Sequence, residues 1–206
     1  MSVIIFDFDG TIVDSRNYFI DFIAKRANKY PLNKEQKENL HGLPLMGVAR
    51  ALDIPWYRLP RLYFQGRKQM DVVIRDLQPF SEMPNVIKKL HNEGHELFIV
   101  SSNSVRNIRL FLKHQNLREQ FMEIYGGIEM FGKASMMHRL LRENNLKVKQ
   151  SISIGDEVRD IEAAQSIGMR TVAVTWGFAR LTDLESLNPT AIANKPLELM
   201  DILEEM

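Results

Sequence analysis

Four short apolar runs, separated by longer amphipathic stretches, constrain the fold of this 206-residue chain most strongly. The runs are often β-branched and show little polar alternation, which is typical of strands buried on both faces of a sheet. They span 3–6, 97–100, 152–154 and 171–174, and the amphipathic stretches span 84–93, 104–115, 134–145, 157–167 and 196–204. This alternation predicts an α/β fold, with a Rossmann-like parallel sheet and helices on both of its faces.

The stretch from 15 to 81 breaks the alternation, because it contains helical patterns and no good buried strand. The helical patterns span 15–29, 34–41, 45–52 and 57–74, with prolines between them. A segment of this length is too long for a structureless loop. We therefore expect a small α-helical cap domain at 15–81, inserted into a core domain that consists of 1–14 and 82–206.

Composition excludes several classes of protein. The chain has no cysteine, so it has no disulfide framework, thiolate metal site or cysteine nucleophile. Its 27 basic and 26 acidic residues are interspersed, and its net charge of +1 predicts neither a nucleic-acid nor a membrane partner. No apolar run approaches the roughly 18 residues of a membrane span, and the first residues do not resemble a signal peptide. We expect a cytoplasmic protein that is a monomer or a weak homodimer.

Polar side chains follow three of the predicted strands, and ligands of parallel α/β sheets bind beyond the carboxyl ends of the strands. Two carboxylates at i and i+2 follow the first run, two serines follow the second, and two carboxylates four residues apart follow the third. These residues are Asp7, Asp9, Ser101, Ser102, Asp156 and Asp160. Each pair alone is typical of a turn or a helix cap. Because all three strand ends face one crevice, their combination indicates a functional site.

The charge of this set points to a cation. Asp7, Asp9, Asp156 and Asp160 would bring four negative charges together, and their repulsion would raise their pKa values unless a cation intervened. Mg²⁺ fits this donor set best, because it prefers hard oxygen ligands and binds one or two carboxylates together with a substrate phosphate. Mg²⁺ is therefore the expected cofactor.

The motifs resemble those of the haloacid dehalogenase superfamily, whose members are mostly phosphatases. The similarity covers nearly the whole chain and rests on Asp7-Phe8-Asp9-Gly10-Thr11, then Ser101, then Lys133, then Gly155-Asp156 with Asp160. A helical insert after the first motif is similar to the helical-cap branch, which includes phosphoglycolate phosphatases and β-phosphoglucomutases. Ala134 and Glu157 depart from residues common in that branch, and neither change removes a reacting group.

The resemblance implies a role for each motif residue. Asp7 would attack phosphorus and form an aspartyl-phosphate, and Asp9 would act as general acid and then as general base. Asp7, Asp156 and the main-chain carbonyl of Asp9 would hold Mg²⁺, and Asp160 would orient Lys133 or a metal-bound water. The substrate phosphate would be bound by Thr11, Ser101, Ser102 and Lys133.

The cap is expected to determine specificity, and Gly42 and Arg50 are its candidate substrate contacts. The leading hypothesis is a Mg²⁺-dependent phosphatase that acts on a small phosphorylated metabolite, as a phosphoglycolate phosphatase does. One alternative is a phosphomutase of the β-phosphoglucomutase type, which would use the same intermediate. Another is a phosphate sensor or partner-binding domain without turnover. The presence of Asp7, Asp9, Lys133 and Asp156 argues against that last alternative.

Overall fold

The computed structural model describes residues 1–40, 43, 45–127 and 132–206, and its centre is a six-stranded sheet in the order β3-β2-β1-β4-β5-β6. Every neighbouring pair of strands is parallel, which confirms the predicted sheet. The strands are β1 (Val3–Phe6), β2 (Glu96–Val100), β3 (Phe121–Tyr125), β4 (Ser151–Gly155), β5 (Arg170–Val174) and β6 (Ala191–Ala193).

Helices cover both faces of the sheet, because successive residues of a strand point to opposite sides. Ile4 and Phe6 of β1 face one apolar layer, and Val3 and Ile5 face the other. The first layer is formed with α5 (Met83–Asn92), α6 (Val105–His114) and α10 (Glu198–Glu204), and the second with α7 (Lys133–Glu143) and α8 (Val158–Ser166). The predicted layers are therefore confirmed.

The helical insert lies between β1 and α5, as expected for the cap. Its helices are α1 (Arg16–Arg26), α2 (Lys34–Leu40), α3 (Leu45–Ala51) and α4 (Leu59–Val73), with a 3-10 turn at Trp56–Arg58. The insert has its own apolar cluster, which includes Ile23 and Val48. Met70 and Ile74, at the end of α4, pack instead into the main core. The domain boundaries at 14/15 and 81/82 stay a prediction.

Among the strands and α-helices that the structure describes, the sequence analysis missed β3, β6 and the short helix α9 (Leu181–Glu185). Both strands lie at the edges of the sheet, where one side of the strand has no neighbour. Met122 and Glu123 of β3 are exposed, so this strand has no continuous apolar run. None of the helices described in the structure has the length and apolar character needed to cross a bilayer.

Candidate active site

The site lies where three central strands end side by side. Asp7 follows β1, Ser101 follows β2 and Asp156 follows β4, and β1 pairs with both of the other strands. Phe6 is in register with Ile99 and with Ile154, so the strands β1, β2 and β4 end at the same level of the sheet. The parallel topology therefore brings Asp7 together with Ser101 and Asp156, which lie 94 and 149 positions further along the chain, as the sequence analysis expected.

Lys133, at the start of α7, connects two of the carboxylates. Its Nζ lies 2.7 Å from Asp7 Oδ1 and 2.5 Å from Asp160 Oδ1, and all three side chains are at most 6% exposed. Asp156 lies in the same cluster: Asp7, Asp156 and Asp160 each offer an oxygen, and these oxygens lie within 4.8 Å of one another. Asp7 and Asp160 thus share the buried Lys133, and Asp156 lies beside them.

The electrostatics of the cluster show a deficit of positive charge. Burial raises the pKa of Asp7 to about 7, although Lys133 opposes this shift. The pKa of Asp156 lies well above its usual range because of burial and of the nearby charges of Glu157, Asp160 and Asp7. Burial lowers the pKa of Lys133, but Asp160 and Asp7 outweigh this effect and raise it above the ordinary value. Lys133 therefore stays charged, while Asp7 and Asp156 resist ionisation.

This donor set fits a divalent cation. Its ligand atoms are carboxylate oxygens, which are the hard ligands that Mg²⁺ prefers. A cation among them would offset the burial and the repulsion that together raise the pKa values of Asp7 and Asp156. The buried cluster of Asp7, Asp156 and Asp160 could therefore hold a divalent metal ion.

Asp156 is held by hydrogen bonds and by the close approach of two glycines. Thr11 Oγ1 donates to Asp156 Oδ1 over 2.9 Å, and the Phe178 backbone N–H donates to Oδ2 over 2.7 Å. A Cβ on Gly10 would lie 2.3 Å from Asp156 Oδ2, and a Cβ on Gly177 would lie 2.1 Å from it. The backbone can approach the carboxylate this closely only because both positions are glycine.

The Thr11 hydroxyl therefore binds a carboxylate, whereas the resemblance had implied that it binds phosphate. Thr11 is fully buried, and its carbonyl accepts a hydrogen bond of 3.1 Å from Trp176 Nε1. These contacts favour a role in orienting Asp156, and the phosphate contact of Thr11 stays a prediction.

Asp160 makes the contacts expected of a residue that orients Lys133. One of its oxygens contacts Lys133 Nζ, and the other accepts the Glu157 backbone N–H over 3.1 Å. The second bond belongs to a capping box at the start of α8, which fixes the position of the carboxylate relative to the helix.

The loop that follows β2 contributes a second group of polar side chains. Ser101 is buried, and its Oγ accepts the Asn103 backbone N–H over 3.1 Å, while Ser102 is half-buried. Asn103 Nδ2 donates to Asp9 Oδ2 over 2.9 Å, so the loop also contacts the carboxylate predicted to act as acid and base. The predicted site residues of the core domain therefore lie together around the ends of β1, β2 and β4.

The two predicted cap residues are not placed in the site by this structure. Gly42 lies outside the described residues, and Arg50 is exposed near the end of α3. Their role in specificity stays a prediction.

The sequence analysis missed Arg16, which connects the cap segment to the core. Its Nη1 donates to the Gly177 carbonyl over 2.8 Å, and its Nη2 donates to the Leu43 carbonyl over 2.9 Å. Burial lowers the pKa of this guanidinium, whereas Asp156 and Asp14 raise it. The sequence gives no signal for this role, because both hydrogen-bond partners of Arg16 are distant along the chain.

Comparison with known proteins gives consistent results. The sequence profile described as "Haloacid dehalogenase-like hydrolase" matches residues 4–174. A phosphoglycolate phosphatase from Synechococcus elongatus is 29% identical over 209 residues, which cover 100% of this chain and 99% of the relative. A pyrophosphatase, PpaX, from Bacillus mycoides is 22% identical over 217 residues, with coverage of 100% and 98%.

A solved structure of a haloacid dehalogenase-like hydrolase from Streptococcus pneumoniae has a TM-score of 0.77 and 25% identity, and the match covers 98% of each chain. The profile match extends over most of the chain, and the solved structure has the same overall fold. This chain belongs to the haloacid dehalogenase-like hydrolase family.

Proposed function

We propose that this protein is a Mg²⁺-dependent phosphatase that hydrolyses a small phosphorylated metabolite through an aspartyl-phosphate on Asp7. The observation that carries the proposal is the buried cluster in which Asp7 Oδ1 lies 2.7 Å from Lys133 Nζ, beside Asp156 and Asp160. A phosphatase is also what family membership predicts, and the two relatives compared above are named as a phosphoglycolate phosphatase and a pyrophosphatase.

In the first half of the proposed reaction, a carboxylate oxygen of Asp7 attacks phosphorus while the bond to the leaving oxygen breaks. Asp9 gives its proton to that oxygen, and the product alcohol departs. In the second half, Asp9 takes a proton from water, which attacks the phosphorus of the aspartyl-phosphate. The acyl-phosphate bond breaks, inorganic phosphate leaves and Asp7 is restored.

Charge on the transferring phosphoryl group has to be stabilised throughout. Lys133, held by Asp160, lies 2.7 Å from Asp7, and Ser101 and Ser102 follow the adjacent strand. We assign them to binding of the phosphoryl oxygens. Asp7, Asp156 and the main-chain carbonyl of Asp9 would hold Mg²⁺, which supplies positive charge that lets a phosphate dianion approach the carboxylates.

The test is Mg²⁺-dependent release of inorganic phosphate from a panel that includes phosphoglycolate, pyrophosphate and sugar phosphates. The Asp7→Asn variant should lose turnover and keep its fold, whereas Asp76→Asn, at an exposed aspartate outside the site, should match the wild type. A phosphomutase would isomerise a sugar phosphate and release little phosphate. Binding of a phosphate ester without turnover would support the non-catalytic alternative.

A further inference from the structure

Two buried amides connect the cap segment to the candidate active site. Asn103 lies in the loop after β2 and is 2% exposed, and Asn107 lies in the first turn of α6 and is 1% exposed. A buried amide that lacks hydrogen-bond partners destabilises the fold. The partners of these two amides therefore indicate what holds them in place.

The hydrogen bonds of Asn103 fix the orientation of its amide. Its Oδ1 accepts the Ser104 backbone N–H over 2.8 Å, and a backbone N–H can only donate. The opposite end, Nδ2, must therefore face Asp9, to whose Oδ2 it donates over 2.9 Å. The second hydrogen on Nδ2 points to Met70 Sδ at 3.0 Å.

Asn107 extends this network to the cap. Its Nδ2 donates to Asn103 Oδ1 over 3.2 Å and to Asp71 Oδ1 over 2.6 Å. Asp71 and Met70 are neighbours near the end of α4, the last helix of the cap segment. A flipped Asn107 amide would place oxygen against oxygen at both contacts, so its orientation is also determined.

We infer that Asn103 and Asn107 are positioning residues that couple the seating of α4 on the core to the orientation of the Asp9 carboxylate. This inference rests on the proposed function, because it requires Asp9 to be the acid and base. Holding Oδ2 of Asp9 fixes the torsion of the carboxylate and so the direction of Oδ1. Oδ1 then gives its proton to the leaving oxygen and takes one from water, while the bond from Asn103 to Oδ2 is kept.

The direct test compares two aryl phosphates that differ in their need for a general acid. The leaving group of phenyl phosphate needs a proton, and that of 2,4-dinitrophenyl phosphate does not. For Asn103→Ala, kcat/KM should fall about 10- to 100-fold with phenyl phosphate and less than about threefold with 2,4-dinitrophenyl phosphate, because kcat/KM reports only the steps up to departure of the leaving group, before Asp9 acts as a base on water. Equal losses of kcat/KM with both substrates would overturn the inference, because a purely structural defect would not distinguish the leaving groups.

The cap side of the network is tested at Asp71, whose exposure keeps the test open if Asn103→Ala fails to fold. Asp71→Ala should lower kcat/KM with phenyl phosphate about 3- to 10-fold and leave kcat/KM with 2,4-dinitrophenyl phosphate nearly unaffected. The matched control is Asp76→Ala, which removes another exposed aspartate just beyond α4 and should match the wild type. An Asp71→Ala variant indistinguishable from this control would overturn the coupling to the cap.

Failure of the inference and failure of the proposed function can be separated. If the wild type does not hydrolyse 2,4-dinitrophenyl phosphate in the presence of Mg²⁺, the proposed function is wrong and the inference falls with it. If the wild type is active and the variants show no leaving-group dependence, only the inference is wrong.

Discussion

Gly177→Ala should damage the proposed metal site, although it replaces none of the residues assigned to the chemistry. The added Cβ would lie 2.1 Å from Oδ2 of Asp156 and 2.3 Å from its Cβ and Cγ, whereas contacts below 3.0 Å essentially never occur. Asp156 would therefore have to move by about 1 Å, or the Gly177 loop would have to withdraw. Either movement weakens the 2.7 Å bond from the Phe178 N–H to Asp156.

The expected destabilisation of Gly177→Ala is about 3 kcal/mol, which combines about 1–3 kcal/mol for overpacking with about 1 kcal/mol for the weakened hydrogen bond. Urea unfolding measures this loss, and the Mg²⁺-induced rise in Tm at increasing Mg²⁺ concentrations measures affinity, which should fall at least about 10-fold.

Gly94→Ala is the control for Gly177→Ala. Gly94 has a φ of +85° and open space around it, so alanine there should cost about 1 kcal/mol and leave Mg²⁺ affinity unchanged. Wild-type stability and a wild-type Mg²⁺ response in Gly177→Ala would refute the reasoning that the glycine backbone holds Asp156 in place.

The hydrogen bonds of Thr11 and Arg16 and the raised pKa of Asp7 give three further predictions. Thr11→Val keeps the side-chain volume but removes the hydroxyl that donates to Asp156 Oδ1, so Mg²⁺ affinity measured from Tm shifts should fall about 10-fold; an unchanged affinity would argue against this orienting role. Arg16→Ala removes the donors to the Gly177 and Leu43 carbonyls and should lower the free energy of unfolding in urea by about 2 kcal/mol, whereas an unaltered urea midpoint and slope would contradict this. Because the folded-state pKa of Asp7 is raised from 3.8 to about 7, its contribution to the stability of the metal-free protein is present below pH 4 and is lost as the pH rises through 7. The Mg²⁺-induced rise in Tm should therefore be larger at pH 8 than at pH 5, and a rise independent of pH would be inconsistent with a cation bound by ionised carboxylates.

The centre of the fold could be predicted because its signals are local. The runs that form β1, β2, β4 and β5 are buried on both faces and mostly apolar, so they are easily recognised. Residues placed directly after parallel strands must meet at one edge, so the meeting of Asp7, Ser101 and Asp156 followed from the topology alone. The edge strands β3 and β6 lacked this signal, because two exposed positions interrupt β3 and because β6 is only three residues long.

Contacts between residues that are far apart in the sequence could not be predicted from the same patterns. Arg16 and Gly177 are 161 positions apart, and Asn107 and Asp71 are 36 apart. Their pairing depends on how the cap segment packs against the core. The hydrogen bond from the Thr11 hydroxyl to Asp156 could not be predicted either. A threonine after Asp-x-Asp-Gly does not indicate which acceptor its hydroxyl will bind.

The most direct test of the central claim is to trap a phosphoryl group on Asp7 during turnover. The enzyme is mixed with Mg²⁺ and an active phosphate ester, quenched in acid within milliseconds, reduced with borohydride and digested for mass spectrometry. The account predicts a reduced aspartyl residue at position 7 in the wild type and none without substrate. Steady turnover with no modification at position 7, or undiminished turnover by Asp7→Asn, would contradict it.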